Sequence, residues 1–142
     1  MTGSAHRIFV IEDEEMIRES IVEFLAENGY DAVGAAHGRE ALDKLSALPE
    51  EPPPCLILLD LMMPIMDGRT FRERQLESPN LAAIPIIVVS AYRDLAKTAV
   101  ELRAVGHLEK PLRLPDLLRT VRRYCATEAG PSGHQPPPSS LS

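Results

Sequence analysis

The chain has 142 residues, of which 44% are hydrophobic and 25% charged, with a formal net charge of −6; that is the make-up of one globular domain with a single core. The acidic balance argues against direct nucleic-acid binding and against an anionic membrane surface, since both need basic residues. No stretch approaches the roughly 18 apolar residues of a membrane span and Met1 to Arg7 leads into no apolar signal core, so the expectation is a cytoplasmic protein.

Strands and helices alternate five times. Ile8 to Ile11 is a short apolar run stopped by acids. Glu14 to Asn28 carries Ile17, Ile21, Phe24 and Leu25 at helical spacing, and Gly29 supplies a stop. Ala32 to Ala36 reads as a weaker strand. Arg39 to Leu48 reads as a helix with Ala41, Leu42, Leu45 and Leu48 on one face. After the proline-rich loop from Pro49 to Pro54, the run Cys55 to Leu59 is apolar at every position, as a strand covered on both faces should be. Gly68 to Glu77 is a helix of modest amphipathicity, Ile84 to Val89 a second apolar strand, Asp94 to Ala104 a helix and Gly106 to Glu109 a short strand. Leu114 to Cys125 closes the domain, with Leu114, Leu117, Leu118, Val121 and Cys125 as its buried stripe and Pro115 in its first turn. This alternation implies right-handed βαβ units and a three-layer α/β fold on a parallel sheet.

Cys55 and Cys125 lack metal-ligand spacing and read as small buried hydrophobes of a reducing compartment. From about Ala126 the chain turns to Gly, Pro and Ser, which cannot bury enough surface to offset ordering. The division expected is a folded domain over 1–125 and a disordered tail over 126–142.

Open parallel sheets bind ligands at the carboxyl ends of their strands. Glu12 and Asp13 follow the first strand, Asp60 the third, Ser90 the fourth and Lys110 the fifth. Taken singly, each has a plainer explanation. Acids favour a helix N-terminus, Asp67-Gly68 is an ordinary turn pair, Met62, Met63 and Met66 are core filler, and Lys110 is a solvated loop charge. Their joint placement at four strand ends is what the plainer explanations leave out. Three carboxylates in one place repel; Lys110 offsets one charge, and a divalent cation offsets the others. An all-oxygen donor set suits Mg²⁺ and not Zn²⁺. A carboxylate, a metal, a lysine and a hydroxyl around one space suit phosphoryl transfer, with an Asp able to serve as nucleophile.

Val10-Ile11-Glu12-Asp13-Glu14, Leu58-Leu59-Asp60-Leu61-Met62-Met63-Pro64-Ile65-Met66-Asp67-Gly68, Val89-Ser90-Ala91 and Lys110-Pro111 together resemble the receiver domains of bacterial response regulators, from about Arg7 to Tyr124. The resemblance implies a flavodoxin-like sheet of order 2-1-3-4-5 flanked by five helices. It implies that Asp60 takes a phosphoryl group from a histidine kinase or a histidine phosphotransfer protein. It implies that Asp13, Asp60 and the backbone carbonyl of Met62 bind Mg²⁺ directly, Glu12 through water, and that Ser90 and Lys110 contact the phosphoryl oxygens. In the family the peptide before the proline of Lys110-Pro111 is typically cis. Phosphorylation then shifts a two-state equilibrium, drawing Ser90 in and altering the face of helix 4, strand 5 and helix 5 that a downstream protein reads.

The sequence departs from the family pattern at three places: Glu12 stands where Asp is common, Ser90 where Thr is common, and His107 at the switch position where Tyr or Phe is usual. Met62 and Tyr92 flank the route of the hydrolytic water in the family, and their bulk implies slow self-dephosphorylation. Two enzyme readings fit less well. A haloacid-dehalogenase-type phosphatase carries a second Asp where Met62 stands, and a flavodoxin carries a Thr-, Ser- and Gly-rich loop where Glu12-Asp13-Glu14-Glu15 stands. A degenerate receiver acting without phosphate is the remaining alternative. The expectation is thus a stand-alone phosphoacceptor module and not an enzyme, with its reader a separate molecule. Arg119, Arg122 and Arg123 on the last helix read as a solvated basic face.

Overall fold

The computed structural model describes residues 6–48, 53–61, 67–91 and 95–125. Its strands are β1 (Arg7–Ile11), β2 (Asp31–Ala35), β3 (Leu56–Asp60), β4 (Ile86–Ser90) and β5 (Gly106–Glu109). All neighbours pair in parallel, in the order β2-β1-β3-β4-β5. The long helices are α1 (Glu15–Glu27), α2 (Gly38–Ala47), α3 (Gly68–Glu77), α4 (Leu95–Glu101) and α5 (Leu114–Tyr124), and a single helical turn, Pro79–Ala82, leads into β4.

The strand sequences explain the three layers. Side chains alternate across a strand, and here both sets are apolar. Phe9, Ile11, Ile57, Leu59, Ile86 and Val88 enter one core with Ala41 and Leu45 of α2, Phe71 of α3 and Leu95 and Ala99 of α4. Ile8, Val10, Leu56, Leu58 and Ile87 enter the other with Ile21 and Leu25 of α1 and Leu117 and Val121 of α5. β3 and β4 are buried at every residue, as their unbroken apolar runs predict. Burying each such Leu, Ile or Phe stabilises the fold by about 1.5–3 kcal/mol.

Two helix ends show how local sequence stops an element. α1 ends with Gly29 at φ 93°, where Gly29 N–H donates to Ala26 O and Tyr30 N–H to Leu25 O. This is the paired bonding that a left-handed residue after a helix makes possible. α4 ends the same way, with Arg103 N–H donating to Val100 O and Ala104 N–H to Ala99 O, but its left-handed residue is Arg103 at φ 58°. The helix expected to run to Ala104 therefore stops at Glu101, and no glycine marks the place in the sequence.

The structure corrects other expectations. Cys55 and Cys125 are not separate thiols: their sulfurs are bonded, with the Cα atoms 5.8 Å apart. Spacing gave no sign of this because 70 residues separate them, and only the packing of α5 beside β3 brings them together. Leu114 and Ile17, expected in buried stripes, are 37% and 36% exposed; each stands in the first turn of its helix, beyond the edge of the core. The carbonyl of Met62 and the side chain of Tyr92 lie outside the described residues, as does the expected tail 126–142.

Candidate functional site at the carboxyl edge of the sheet

The register brings the strand ends level. Ile11 sits beside Leu59, Asp60 beside Val89 and Ser90 beside Glu109. Backbone bonds continue past the strands: Glu12 N–H donates to Ala35 O, Leu61 N–H to Val89 O and Lys110 N–H to Ser90 O, at 3.0, 3.2 and 3.1 Å. Glu12, Asp60, Ser90 and Lys110 are thus fixed at one edge by the sheet itself. The Lys110–Pro111 peptide is cis, as the resemblance implied.

Glu12, Asp60 and Ser90 are each 3% exposed or less, while Asp13 is exposed. The Lys110 ammonium lies 3.1 Å from Glu12 Oε1 and 3.2 Å from Asp60 Oδ2, bridging the two buried carboxylates. Glu12 is held from two further directions: Glu14 N–H donates to its Oε2 at 3.1 Å, and Arg18 Nη1 donates to its carbonyl at 2.9 Å.

Burial pushes the Glu12 carboxyl above the ordinary carboxylate range, and the Asp60 charge adds to the effect. The Glu14 N–H and Lys110 oppose it without cancelling it. Burial by itself pulls the Lys110 ammonium down, but Glu12 and Asp60 outweigh it and hold the group above its usual value. Lys110 therefore stays charged and supplies one fixed positive charge against the acids.

Glu12, Asp13 and Asp60 each offer a carboxylate oxygen within 4.8 Å of the others. The donor set fits a hard divalent cation: all ligand atoms are oxygen, and a single ammonium cannot neutralise three carboxylates. Asp67, which also admits reading as an ordinary turn residue, caps α3 by accepting from Thr70 N–H at 2.9 Å. A Cβ on Gly68 would lie 2.9 Å from Leu61 Cα and 3.2 Å from Asp60 O, so the glycine lets α3 start directly against the end of β3. His107 is exposed on β5, beside Val88.

Sequence reasoning missed Arg72 and Gln75, which are 6% and 0% exposed on α3. Arg72 donates to Leu102 O at 2.9 Å, to Arg103 O at 3.1 Å and to Gln75 Oε1 at 2.7 Å. Gln75 Nε2 donates onward to Leu81 O and Ile84 O. The only hint in the sequence was the weak apolar face of α3, which buries polar groups instead.

Sheet order and helices on both faces define a flavodoxin-like α/β domain, with an acid cluster at its carboxyl edge. The chain belongs to the response regulator receiver domain family of two-component systems, whose profile matches residues 8–122. Response regulator RR06 of Streptococcus pneumoniae serotype 2 is 39% identical over 127 residues, covering 85% of this chain and 55% of that protein. Chemotaxis protein CheY of Treponema pallidum is 30% identical over 120 residues, covering 84% of this chain and 82% of that protein. The chain spans about half the length of several curated relatives, RR06 among them. Among solved structures, chemotaxis protein CheY4 of Vibrio cholerae superposes with a TM-score of 0.74 at 28% identity, covering 83% of this chain and 97% of that one. The receiver domain of the sensor histidine kinase PA1611 of Pseudomonas aeruginosa, with a magnesium ion coordinated in its active site cleft, shares the fold at a TM-score of 0.72 and 23% identity, covering 84% and 96% of the two chains. The family is a signalling module. No helix among the described residues is long and apolar enough to cross a membrane.

Proposed function

We propose that Asp60 is the phosphoacceptor of this receiver and that the unit carrying it lies within residues 1–125. The observation that supports this most is the buried Asp60 carboxylate, 3.2 Å from the Lys110 ammonium, within one cluster with Glu12 and Asp13. Asp60 attacks the phosphorus of a phosphohistidine on a histidine kinase or histidine phosphotransfer protein. The new P–O bond forms as the P–N bond breaks, the imidazole leaves with its electron pair and takes a proton, and an acyl phosphate remains on Asp60. Lys110 holds one phosphoryl oxygen and Ser90 another as charge spreads over the group in transit.

Asp13, Asp60 and the Met62 carbonyl would hold Mg²⁺, with Glu12 acting through water. Bound there, the metal supplies Lewis-acid neutralisation of the phosphoryl oxygens. The module turns over no substrate of its own beyond slow loss of the phosphoryl group. Phosphohistidine donors place it in the cytoplasm.

The output is a changed surface on α4, β5 and α5, where Ser90 and the loop after β4 respond to the added charge. That face carries the exposed His107, Val100 and Arg119, and a downstream protein reads it. His107 turns inward on activation. Imidazole NMR signals that stay unchanged on phosphorylation would remove His107 from the switch.

The test is incubation with acetyl phosphate and Mg²⁺ followed by intact mass measurement. A gain of one phosphoryl group is expected, lost in Asp60→Asn and abolished by a chelator. Failure to gain phosphate from acetyl phosphate and from phosphohistidine donors, together with no Mg²⁺ binding, would overturn the reading in favour of a phosphate-independent module.

A further inference from the structure

The sulfur pair lies away from the acid cluster. Cys55 immediately precedes β3, whose far end carries Asp60, and Cys125 immediately follows α5. The link therefore joins the amino end of the strand that carries Asp60 to the residue just past the end of α5. Everything between them, from β3 through α5, falls inside the covalent loop.

α5 has little else to hold its end. Its deep contacts are Leu117, Val121 and Cys125. Leu114 at its start is 37% exposed, and Arg119, Arg122 and Arg123 face solvent. At and beyond the last turn two hydrogen bonds add to these: the buried Tyr30 hydroxyl donates to Cys125 O at 2.9 Å and the Tyr124 hydroxyl to Val105 O at 3.1 Å. The two sulfurs differ in access. Cys125 is 2% exposed, whereas Cys55 is half-buried, so a reagent in solution meets Cys55 first.

We infer that Cys55 and Cys125 are a reversible thiol-oxidation site, a clasp that fixes the end of α5 when oxidised and frees it when reduced. Oxidation begins when the Cys55 thiolate attacks an oxidised low-molecular-weight thiol such as glutathione disulfide, releasing one small thiol and leaving a mixed disulfide. Cys125 then displaces the second small thiol. Two electrons and two protons pass from the cysteine pair to the small thiols, and an excess of reduced thiol runs the exchange backwards. Reduction removes the covalent tie and leaves α5 held by its short apolar seam and the two tyrosine hydroxyl bonds, so its local opening becomes more frequent. Because α5 borders the face that phosphorylation is proposed to alter, the clasp gives that face a redox input as well; this last step rests on the phosphoacceptor reading.

The experiment uses the full chain, unphosphorylated, equilibrated in glutathione buffers from fully reduced to strongly oxidised. Thiols are trapped by alkylation and counted by intact mass, and amide hydrogen exchange is followed over residues 114–125. The expected result is a disulfide fraction rising from none to nearly all across the series. Exchange in α5 should be at least about tenfold slower in the oxidised form, with α1 changing less. In Cys55→Ser the exchange of α5 should no longer depend on the buffer; if that variant does not fold, the wild-type series decides by itself. Two free thiols at the oxidising end, or equal α5 exchange in both forms, would overturn the clasp. Since no phosphodonor is present, failure of the clasp and failure of phosphorylation at Asp60 are read separately.

Discussion

Arg69 and Arg72 stand three residues apart on α3, and the structure assigns them very different weights. Arg69 reaches Glu101 of α4 at 3.3 Å, with the two side chains 52% and 46% exposed. Such a pair contributes about 0–1 kcal/mol. Arg72 reaches the same end of α4 from inside, donating to Leu102 O, Arg103 O and Gln75 Oε1, and burial lowers its pKa, with the nearby Arg103 charge acting in the same direction. Truncating Arg72 to alanine orphans three acceptors at about 1–3 kcal/mol each. Water can reach the part-buried Arg103 carbonyl, and losing the cost of burying a guanidinium offsets some of the remainder. The expected loss for Arg72→Ala is about 3–5 kcal/mol, against less than about 1 kcal/mol for Arg69→Ala. Arg72→Lys should fall between them, because an ammonium cannot span three acceptors as the guanidinium fork does. Urea unfolding followed by circular dichroism measures all three. Equal midpoints for Arg69→Ala and Arg72→Ala would refute the claim that the buried fork holds α4 against α3.

Gly68→Ala should cost about 1–3 kcal/mol in the same assay, because its Cβ meets Leu61 Cα at 2.9 Å and backbone must move; an unchanged midpoint would show that the end of β3 yields freely. Glu40 accepts from Ala36 N–H at 2.7 Å and pairs with Lys44 at 3.1 Å. The Ala36 N–H and then Lys44 hold its carboxyl below its ordinary value of 4.5. A depressed folded pKa stabilises above the unfolded value and is lost as pH falls through the folded one. Glu40→Gln should therefore lower stability slightly at neutral pH, by under about 1 kcal/mol given its 37% exposed side chain. The gap should close as pH falls below 4.5; a gap that widened in acid would contradict the sign. Phosphate loss from Asp60 should speed up at least about tenfold, or ~1.4 kcal/mol of barrier, when Met62 and Tyr92 are both replaced by serine, as read by phosphate release from purified protein.

The elements that sequence reading placed well are those in which one physical demand dominates. β3 and β4 must bury both faces, so their residues are apolar up to the last position of each, where Asp60 and Ser90 stand. The acid cluster was legible for a related reason: a parallel sheet collects what stands at its strand ends, where Asp60 and Ser90 close β3 and β4 and Glu12 and Lys110 follow β1 and β5. What stayed hidden depended on partners far along the chain. Arg72 and Gln75 sit where a helical pattern calls for apolar residues, and only the carbonyls of Leu102 and Arg103 and of Leu81 and Ile84 make them tolerable there. Arg103 ends α4 in a conformation usually left to glycine, and what fixes it is again the guanidinium of Arg72. Cys55 and Cys125 fit an apolar pattern equally well as thiols or as a bonded pair, so periodicity could not separate the two.

These hidden contacts bear on the proposed switch. The acid cluster is rigid at its base: Glu12, Asp60 and Ser90 are buried at strand ends whose backbone bonds continue to Ala35, Val89 and Lys110. Lys110 already spans Glu12 and Asp60, so the proposed phosphoryl group on Asp60 would take over part of that ammonium and add charge that the edge has to redistribute. Rearrangement then falls to what is least fixed. α3 is tied to β3 through Gly68, and the far end of α4 is tied to α3 through Arg72. α5 is fixed at its C-terminal end by the sulfur link and at its start by little, with Leu114 over a third exposed. On this reading α5 is anchored at its C-terminal end and least fixed at the end nearer the acid cluster, which is where the charge of the proposed phosphoryl group on Asp60 would act most strongly.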